Sequence, residues 1–296
     1  MAIAGASQQR AKEAIEARSG AKIGHEKIRT IVKSLASSME EHRQDCQLKQ
    51  LQSWIDQVHS TGEKAVLSVS RDGAAAPEEN QTTLSKKLTA LLTEVIRSHG
   101  AQLEQIAYVS DAGKVETAYW RNVLSKFYVD GVRIPMERTL DYYHASLRLT
   151  TIADCFKLSA KARENWLQST RSRLKEEGGL GRVLRSISKM AELHGLKKSK
   201  VKEFNEATKY LRKYRRFMDY ADKRARGLPI GSGIVESACK QIVSERMKLS
   251  GMRWKPAGIQ DVMTLRSILL SQTWDATFHR KLLSNSPVEI LYANAA

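Results

Sequence analysis

The chain has 296 residues, of which 42% are hydrophobic, so it can bury a core as one large domain or two smaller ones. This composition excludes a chain that is disordered throughout. The formal net charge of +17 favours a polyanionic partner such as nucleic acid, because each cation placed on a phosphate releases a counterion. The cysteines, Cys46, Cys155 and Cys239, form no CxxC pair and indicate neither a zinc site nor a disulfide framework.

Residues 1–60 are predicted to form a helical N-terminal region. A first helix ends at Gly20, and a second begins near His25 with an apolar face made of Ile28, Ile31, Val32 and Leu35. Two helices around a glycine-containing turn are typical of a DNA-binding helix-turn-helix, although any helical hairpin has the same pattern. No leader peptide or membrane span is indicated, so we expect a cytoplasmic, nucleoid-associated protein with no membrane partner.

Residues 61–156 alternate between predicted strands and helices. The segment 64–71 has a strand period and ends at Asp72, a second strand in 106–110 ends at Asp111, and a third short strand ends at Asp141. Helices are predicted after each strand, over 82–98, over 115–128 and after Asp141. This order predicts an α/β fold with a mainly parallel sheet.

Residues 157–226 are predicted to be a basic, all-helical segment. They contain 21 Lys and Arg against 8 Asp and Glu, which is most of the excess charge of the chain. A solvated helical bundle could carry this charge, but its single sign favours a face that contacts phosphates. The predicted DNA-binding residues in this segment are Lys197, Lys198, Lys200, Arg212, Lys213, Arg215 and Arg216.

Residues 227–296 begin with the glycine-rich string GLPIGSG and continue into predicted helices. A helix that begins near Ser232 carries Glu236, and further cationic or aromatic residues follow it. Those cations suit a phosphodiester substrate, although Glu236 and Lys240 could equally be a plain helical i,i+4 pair, and Trp254 could stack on a base or anchor the helix end. The predicted DNA-binding residues here are Lys240, Arg246, Lys248, Arg253 and Trp254.

Acidic residues at the ends of parallel strands suggest a metal site. The carboxyl edge of an open α/β sheet is where binding sites lie, and a glutamate early in a helix can complete the ligand set. Carboxylate oxygens are the ligands that Mg²⁺ prefers, and two such ions can activate an attacking oxygen and stabilise a leaving one. The alternative is a structural role. The aspartates could form turns or cap helices, and Asp141 could cap a helix or orient His144.

The string GLPIGSGIVESACK…RMKLSGMRW resembles the C-terminal signature of bacterial insertion-sequence transposases of the ISKra group. The blocks YVSDAGKVETAYWRNVL and TLDYYHASLRL are similar to the same family's preceding motifs, in the same order. The resemblance covers about residues 64–275. It implies an RNase H-like core that contains a large basic all-helical insertion.

The resemblance also implies a function and a set of site residues. The function is metal-dependent cleavage of transposon ends followed by strand transfer, on double-stranded DNA, by a homo-oligomer that holds Mg²⁺ or Mn²⁺, with two ions. The catalytic and metal-binding set carried over is Asp72, Asp111 and Glu236, with Asp141 as runner-up for the second carboxylate. No organic cofactor is implied.

The chain departs from the family in two respects, of which the first is that family members tend to be longer at the N-terminus. Only AAAPEENQ lies between the strand ending at Asp72 and the next helix, so the second and third strands of the core are predicted to be absent. Their loss would leave one edge of the first strand unpaired unless residues 1–60 or a partner subunit cover it. The alternative function is therefore a catalytically inactive, transposase-derived DNA-binding protein.

Overall fold

The computed structural model describes residues 8–20, 22–70, 78–233, 237–238, 240–245 and 254–284. They divide into two compact units, one drawn from residues 1–61 and 237–296 and the other from residues 62–236. We call these the helical unit and the sheet unit. The segment predicted as one piece, 227–296, is thus divided between the two units.

The described residues are mostly helical, with five short strands. In chain order the elements are α1 (Gln8–Ser19), α2 (His25–Ser60), β1 (Val66–Ser70), α3 (Glu78–His99), β2 (Gln105–Ser110), α4 (Lys114–Asn122), β3 (Tyr128–Val129), β4 (Val132–Arg133), β5 (Glu137–Leu140), α5 (Tyr142–Cys155), α6 (Ala160–Leu174), α7 (Gly179–His194), α8 (Val201–Lys213), α9 (Tyr220–Ala225), a π-helical segment (Lys240–Ser244), α10 (Pro256–Leu270) and α11 (Trp274–Leu283).

The helical unit is organised around α2, which has 36 residues and is much longer than a recognition helix requires. It continues to Ser60 because the second half of its sequence contains no glycine or proline. Ala36 and Met39 pack in a buried cluster with Leu265 and Ile268 of α10. Ile31, predicted to lie on the apolar face, is instead 37% exposed, so this part of the prediction is wrong.

The sheet unit contains a three-stranded parallel sheet in the order β1-β2-β5. Register pairs Val69 with Tyr108 and Ser110 with Leu140, so all three strands point the same way. The central strand β2 is buried along nearly its whole length, as its apolar run requires. The predicted parallel α/β arrangement is therefore present, and β1 has no strand on its outer edge among the described residues.

Residues 123–133 differ from the prediction. The helix predicted over 115–128 ends at Asn122, and the chain then forms a two-stranded antiparallel hairpin, β3-β4. Asp130 and Gly131 both have positive φ at its turn, the conformation that an Asp-Gly hairpin loop adopts. The Asp-Gly pair was the sequence signal that could have identified this hairpin.

The predicted basic segment is helical, as expected, and forms a bundle with α5. Helix α5 packs against both α6 and α8, and α6 packs against α7. The interior of the bundle is apolar, whereas most of its basic side chains are exposed. The bundle core is formed by Leu149, Ile152, Phe156, Leu167, Leu174, Val183, Ile187, Ala207 and Leu211.

Gly179 begins α7 in a tight turn, and we expect Gly179→Ala to lower the free energy of unfolding by about 2 kcal/mol. A Cβ at this position would collide with the backbone carbonyl oxygen of Arg173, which belongs to the preceding turn and cannot rotate away. Gly181 is the matched control, because the space around it is open apart from the Arg185 guanidinium at 3.8 Å.

We expect Gly181→Ala to raise the free energy of unfolding by roughly 0.5–1 kcal/mol, since alanine favours a helix over glycine. Urea denaturation of both variants measures the difference. Equal stability of the two variants would show that the turn before α7 tolerates a side chain at Gly179.

The described residues bear on two expectations, one about a membrane span and one about the cysteines. In that part of the chain no helix combines the length and the apolar character that crossing a bilayer requires. Cys46 and Cys155 are both free and buried, and burial raises the pKa of the Cys155 thiol. Cys239 lies outside the described residues.

Candidate carboxylate site at the sheet edge

The structure describes two of the four predicted carboxylates. Asp111 directly follows β2, and Asp141 directly follows β5, the strand paired beside it. Because both strands are parallel, the two aspartates leave the sheet at the same edge. Asp72 and Glu236 lie outside the described residues, as do Arg246, Lys248 and Arg253.

Asp111 begins a sharp turn between β2 and α4. Its Oδ1 accepts a hydrogen bond of 2.8 Å from the backbone N–H of Gly113, and Ala112 between them has a φ of 62°. The side chain is half-buried, and Oδ2 accepts no hydrogen bond from the described residues. One carboxylate oxygen of Asp111 therefore fixes the turn, and the other is not engaged by any residue that the structure describes.

Helix α8 holds this turn from its far side. The Tyr210 hydroxyl donates a hydrogen bond of 2.6 Å to the carbonyl oxygen of Asp111, and the Tyr214 hydroxyl donates to that of Ala112 at 3.4 Å. Burial raises the pKa of Tyr210, so its hydroxyl stays protonated and remains a donor. No sequence pattern predicted this interaction, because α8 lies about 100 residues away along the chain.

Asp141 is fully buried and is the N-cap of α5. Its Oδ1 accepts from the backbone N–H of Tyr143 at 2.6 Å, and its Oδ2 accepts from both the backbone N–H and the hydroxyl of Ser232. The His144 Nδ1 lies 3.4 Å from the same Oδ2. Both the capping role and the contact with His144, proposed as alternatives for Asp141, are thus present.

These contacts decide the charge of Asp141. Burial alone would raise the pKa of its carboxyl group, but the interactions with His144, with Ser232 and with the backbone of Tyr143 lower it overall. Asp141 is therefore a buried carboxylate, and both of its oxygens already accept hydrogen bonds from the protein. A metal ion would have to compete with those donors at Asp141 but not at Oδ2 of Asp111.

The glycine-rich string reaches this edge through Ser232. The backbone N–H of Tyr142 donates to the carbonyl oxygen of Ile230 at 2.8 Å, so the string runs beside the start of α5. Gly231 is required here, because a Cβ would lie 2.9 Å from the ring of Tyr143. The sheet edge thus brings together the aspartates at 111 and 141 and the segment that leads to Glu236.

Two buried charged residues behind the edge were missed from the sequence. Arg138 of β5 is 3% exposed and donates to the hydroxyls of Ser110 and Thr117, while its guanidinium lies 4.8 Å above the ring of Phe217. Burial lowers its pKa. Glu116 of α4 is 5% exposed beside Gly113. Both side chains lie next to the residues of the turn after β2, and no sequence motif indicated either of them.

The described part of the chain does not contain a complete set of metal ligands. There, no group of three His, Cys, Asp or Glu side chains lies close enough to hold an ion. Among the described residues the site offers a metal one carboxylate oxygen, Oδ2 of Asp111, at the edge of a parallel sheet. The two remaining predicted ligands, Asp72 and Glu236, lie outside the described residues.

The predicted DNA-binding residues fall into several environments. Lys197 donates to the carbonyl oxygen of Asp154, and Lys200 pairs with Glu203 at 2.7 Å, so these two cations are already engaged. Arg216 lies over the ring of Phe217. Trp254 is half-buried. The remaining described residues of this set are exposed, and they are Lys198, Arg212, Lys213, Arg215 and Lys240.

Arg212 and Lys213 line a cavity between α7 and α8. Three further cations border this cavity or the ones next to it, and they were not predicted: Arg185, Lys189 and Lys209. Arg185 and Lys189 were missed because they are spaced singly along α7, whereas Lys209 begins the basic string KYLRKYRRF, which contains the predicted residues at 212, 213, 215 and 216. Only the packing of α7 beside α8 makes them neighbours.

Comparison with known proteins identifies no relative. No family model, no curated protein and no solved structure matches the chain. Its function is therefore inferred from the sheet edge, from the basic surface and from the resemblance of the sequence motifs.

Proposed function

We propose that the chain is a DNA transposase with an RNase H-like core that cleaves transposon ends and joins them to target DNA. The observation that carries the proposal is the placement of Asp111 and Asp141 directly after two neighbouring parallel strands. Two acidic residues so placed begin the kind of carboxylate cluster that such enzymes use. In the sequence, Asp72 comes two residues after the end of β1, which is the remaining strand of the same three-stranded sheet.

The order of the sheet supports the same proposal. The resemblance implies that the strands before Asp72, Asp111 and Asp141 are the first, fourth and fifth of the core, and the observed strands at these places, β1, β2 and β5, are adjacent and parallel. The contact of Ser232 with Asp141 supports Glu236 as the third ligand, because this glutamate follows only four residues later in the sequence. The proposed catalytic set is Asp72, Asp111 and Glu236.

In the proposed reaction each group of the chain has a separate task. Asp111 presents one carboxylate oxygen while Gly113 and Tyr210 hold its turn in place. Asp141 holds the glycine-rich string at the edge through Ser232 and so positions the residues that follow. Bound Mg²⁺ or Mn²⁺, two ions in the proposal, would activate the attacking oxygen and stabilise the leaving one.

The second candidate is a DNA-binding protein without catalysis, derived from a transposase. It is favoured by the outer edge of β1, which pairs with no strand among the described residues. An unpaired edge strand leaves its backbone N–H and C=O groups open to other chains, and the core implied by the resemblance has two further strands at this edge. Assembly of a homo-oligomer could cover this edge in either candidate.

The experiment that separates the two candidates is metal-dependent cleavage. The purified chain is incubated with duplex DNA that carries the sequences flanking its gene, with Mg²⁺, with Mn²⁺ or with EDTA. We expect nicked and joined products with either metal and none with EDTA. DNA binding without cleavage in any metal would contradict catalysis and support the second candidate, and the absence of DNA binding would contradict both.

A further inference from the structure

One cavity of the sheet unit lies away from the sheet edge, between α7 and α8. It has a volume of about 730 Å³, and Ile187 and Phe204 form part of its apolar lining. Two smaller cavities continue it, one along α8 past Lys209 and the other along α7, where it shares Ser188 and Arg212 with the first. Together they form an open surface channel, which we call the α7–α8 groove.

The charge of the α7–α8 groove is mostly of one sign. Two acidic side chains, Glu192 and Glu206, and seven basic ones border the groove, and the basic ones are Arg185, Lys189, Lys198, Lys202, Lys209, Arg212 and Lys213. Within the described part of the chain, Arg185, Lys189, Lys209 and Arg212 form no salt bridge. Exposed cations that lack carboxylate partners attract an anionic ligand along the groove.

The same helix connects the groove to the proposed catalytic edge. Lys209 and Arg212 lie on the groove side of α8, whereas Tyr210 and Tyr214 donate to the Asp111 turn. From Lys202 to Lys213 the helix extends about 16 Å. This length matches about five phosphates of one strand along B-form DNA. A polymer of regularly spaced negative charges therefore suits the groove better than a small anion does.

We propose that the α7–α8 groove binds the sugar-phosphate backbone of duplex DNA, independently of metal and of base sequence. This inference rests on the proposed function and adds to it a defined binding surface outside the carboxylate site. Arg185, Lys189, Lys209 and Arg212 bind phosphates, while the half-buried Phe204 packs against the sugars. Because phosphate binding carries no base information, the groove contributes affinity and orientation, not sequence preference.

The test measures how the affinity for duplex DNA depends on salt, in EDTA, for the full chain and two double variants. The groove variant, Lys189→Gln with Arg212→Gln, removes two cations that border the groove. The control, Lys161→Gln with Arg173→Gln, removes two exposed cations of α6 that border none of its three cavities. All four side chains are exposed, so we expect both variants to melt as the unmodified chain does.

We expect the groove variant to reduce the slope of log K against log salt by about 2, one for each phosphate that a removed cation would neutralise, and the control to leave the slope nearly unchanged. Equal reductions in both variants would overturn the proposal, because net charge alone would then explain them. An unchanged slope in the groove variant would also overturn it while leaving DNA binding by the chain intact. No DNA binding by the unmodified chain would contradict the proposed function as well.

A competitor distinguishes the partner. Polyglutamate carries dense negative charge but no phosphates, and we expect it to displace DNA from the unmodified chain only at a large excess. If polyglutamate bound as tightly as DNA and bound the groove variant only weakly, the groove would be a site for acidic protein segments, and the assignment to DNA would be wrong.

Discussion

Replacing Asp141 with asparagine should lower the free energy of unfolding of the sheet unit by about 3 kcal/mol. Both carboxylate oxygens accept hydrogen bonds, Oδ1 from Tyr143 and Oδ2 from Ser232. Asparagine has one acceptor oxygen, so either orientation of its amide turns an NH₂ group towards a buried N–H donor. Each donor left unsatisfied costs about 1–3 kcal/mol. Urea denaturation of the full chain measures the decrease.

The pH dependence of this effect has a defined sign. The pKa of Asp141 is lower in the folded chain than in the unfolded chain, so its carboxylate stabilises the fold above about pH 4. That stabilisation is lost as the pH falls through the folded pKa. We therefore expect the difference in stability between the unmodified chain and Asp141→Asn to shrink in acid and to be constant near neutral pH.

Asp111→Asn is the matched comparison, and Asp154→Asn is the control. The asparagine oxygen at 111 can still accept from Gly113, so this variant should keep its stability but lose metal-dependent cleavage by a factor of about 10³ or more. Asp154 is exposed, and its replacement should change neither property. If Asp141→Asn kept full stability and lost cleavage while Asp111→Asn cleaved normally, Asp141 would be the second catalytic carboxylate.

Replacing Glu137 with glutamine should lower the free energy of unfolding by about 2–3 kcal/mol. Glu137 is the first residue of β5, and its two oxygens accept from Lys223 and Arg226 of the segment around α9, each at 2.5 Å. The Lys223 side chain is only 4% exposed. Removing the carboxylate leaves a buried ammonium without its counter-charge, which costs more than losing an exposed pair.

The lowered pKa of Glu137 agrees with its pairing to Lys223 and Arg226. Its partial burial would raise the pKa, but the hydrogen bonds from Lys223 and Arg226 lower it overall. The contribution of the carboxylate is therefore present above the unfolded pKa, near 4.5, and is lost as the pH falls through the folded value. Thermal melting at pH 7 and in acid should show the difference between Glu137→Gln and the unmodified chain narrowing in acid.

Two further variants test the cause. Glu203→Gln removes the carboxylate of the exposed pair with Lys200 and should leave the melting unchanged. Lys223→Met combined with Glu137→Gln removes the buried charge together with its partner, and it should recover much of the lost stability. If the double variant were no more stable than Glu137→Gln alone, the destabilisation would come from the shape of the side chain and not from the unpaired ammonium.

Local chain chemistry was sufficient for several elements of the fold. The strand periods before Asp72, Asp111 and Asp141 predicted β1, β2 and β5, and the alternation with helices predicted that the sheet is parallel. The hairpin at Asp130 was missed because the apolar pattern of α4 continues into it. Ile31 was placed on the apolar face of α2 but is 37% exposed, because an apolar stripe does not reveal where the packing partner ends.

The candidate site was predictable in its residues but not in their surroundings. The sequence predicted carboxylates at the ends of successive predicted strands, because where a strand ends depends on nearby residues and not on distant ones. It left open whether Asp141 is a cap or a ligand. The cap and the contact with His144 are local, two and three residues from Asp141, whereas the bond to Ser232 depends on residue 232 folding back across about 90 positions.

By itself the sequence determined the parallel sheet, the acidic residues that follow its strands and a strongly basic helical segment, since periodicity and charge are local properties of a chain. The tertiary structure alone decided that Ser232 occupies Oδ2 of Asp141, that Tyr210 holds the Asp111 turn, and which cations face one another across α7 and α8. Those outcomes depend on interactions between residues far apart in the chain, where burial and donor geometry, not residue type, decide whether a charge is paired or available.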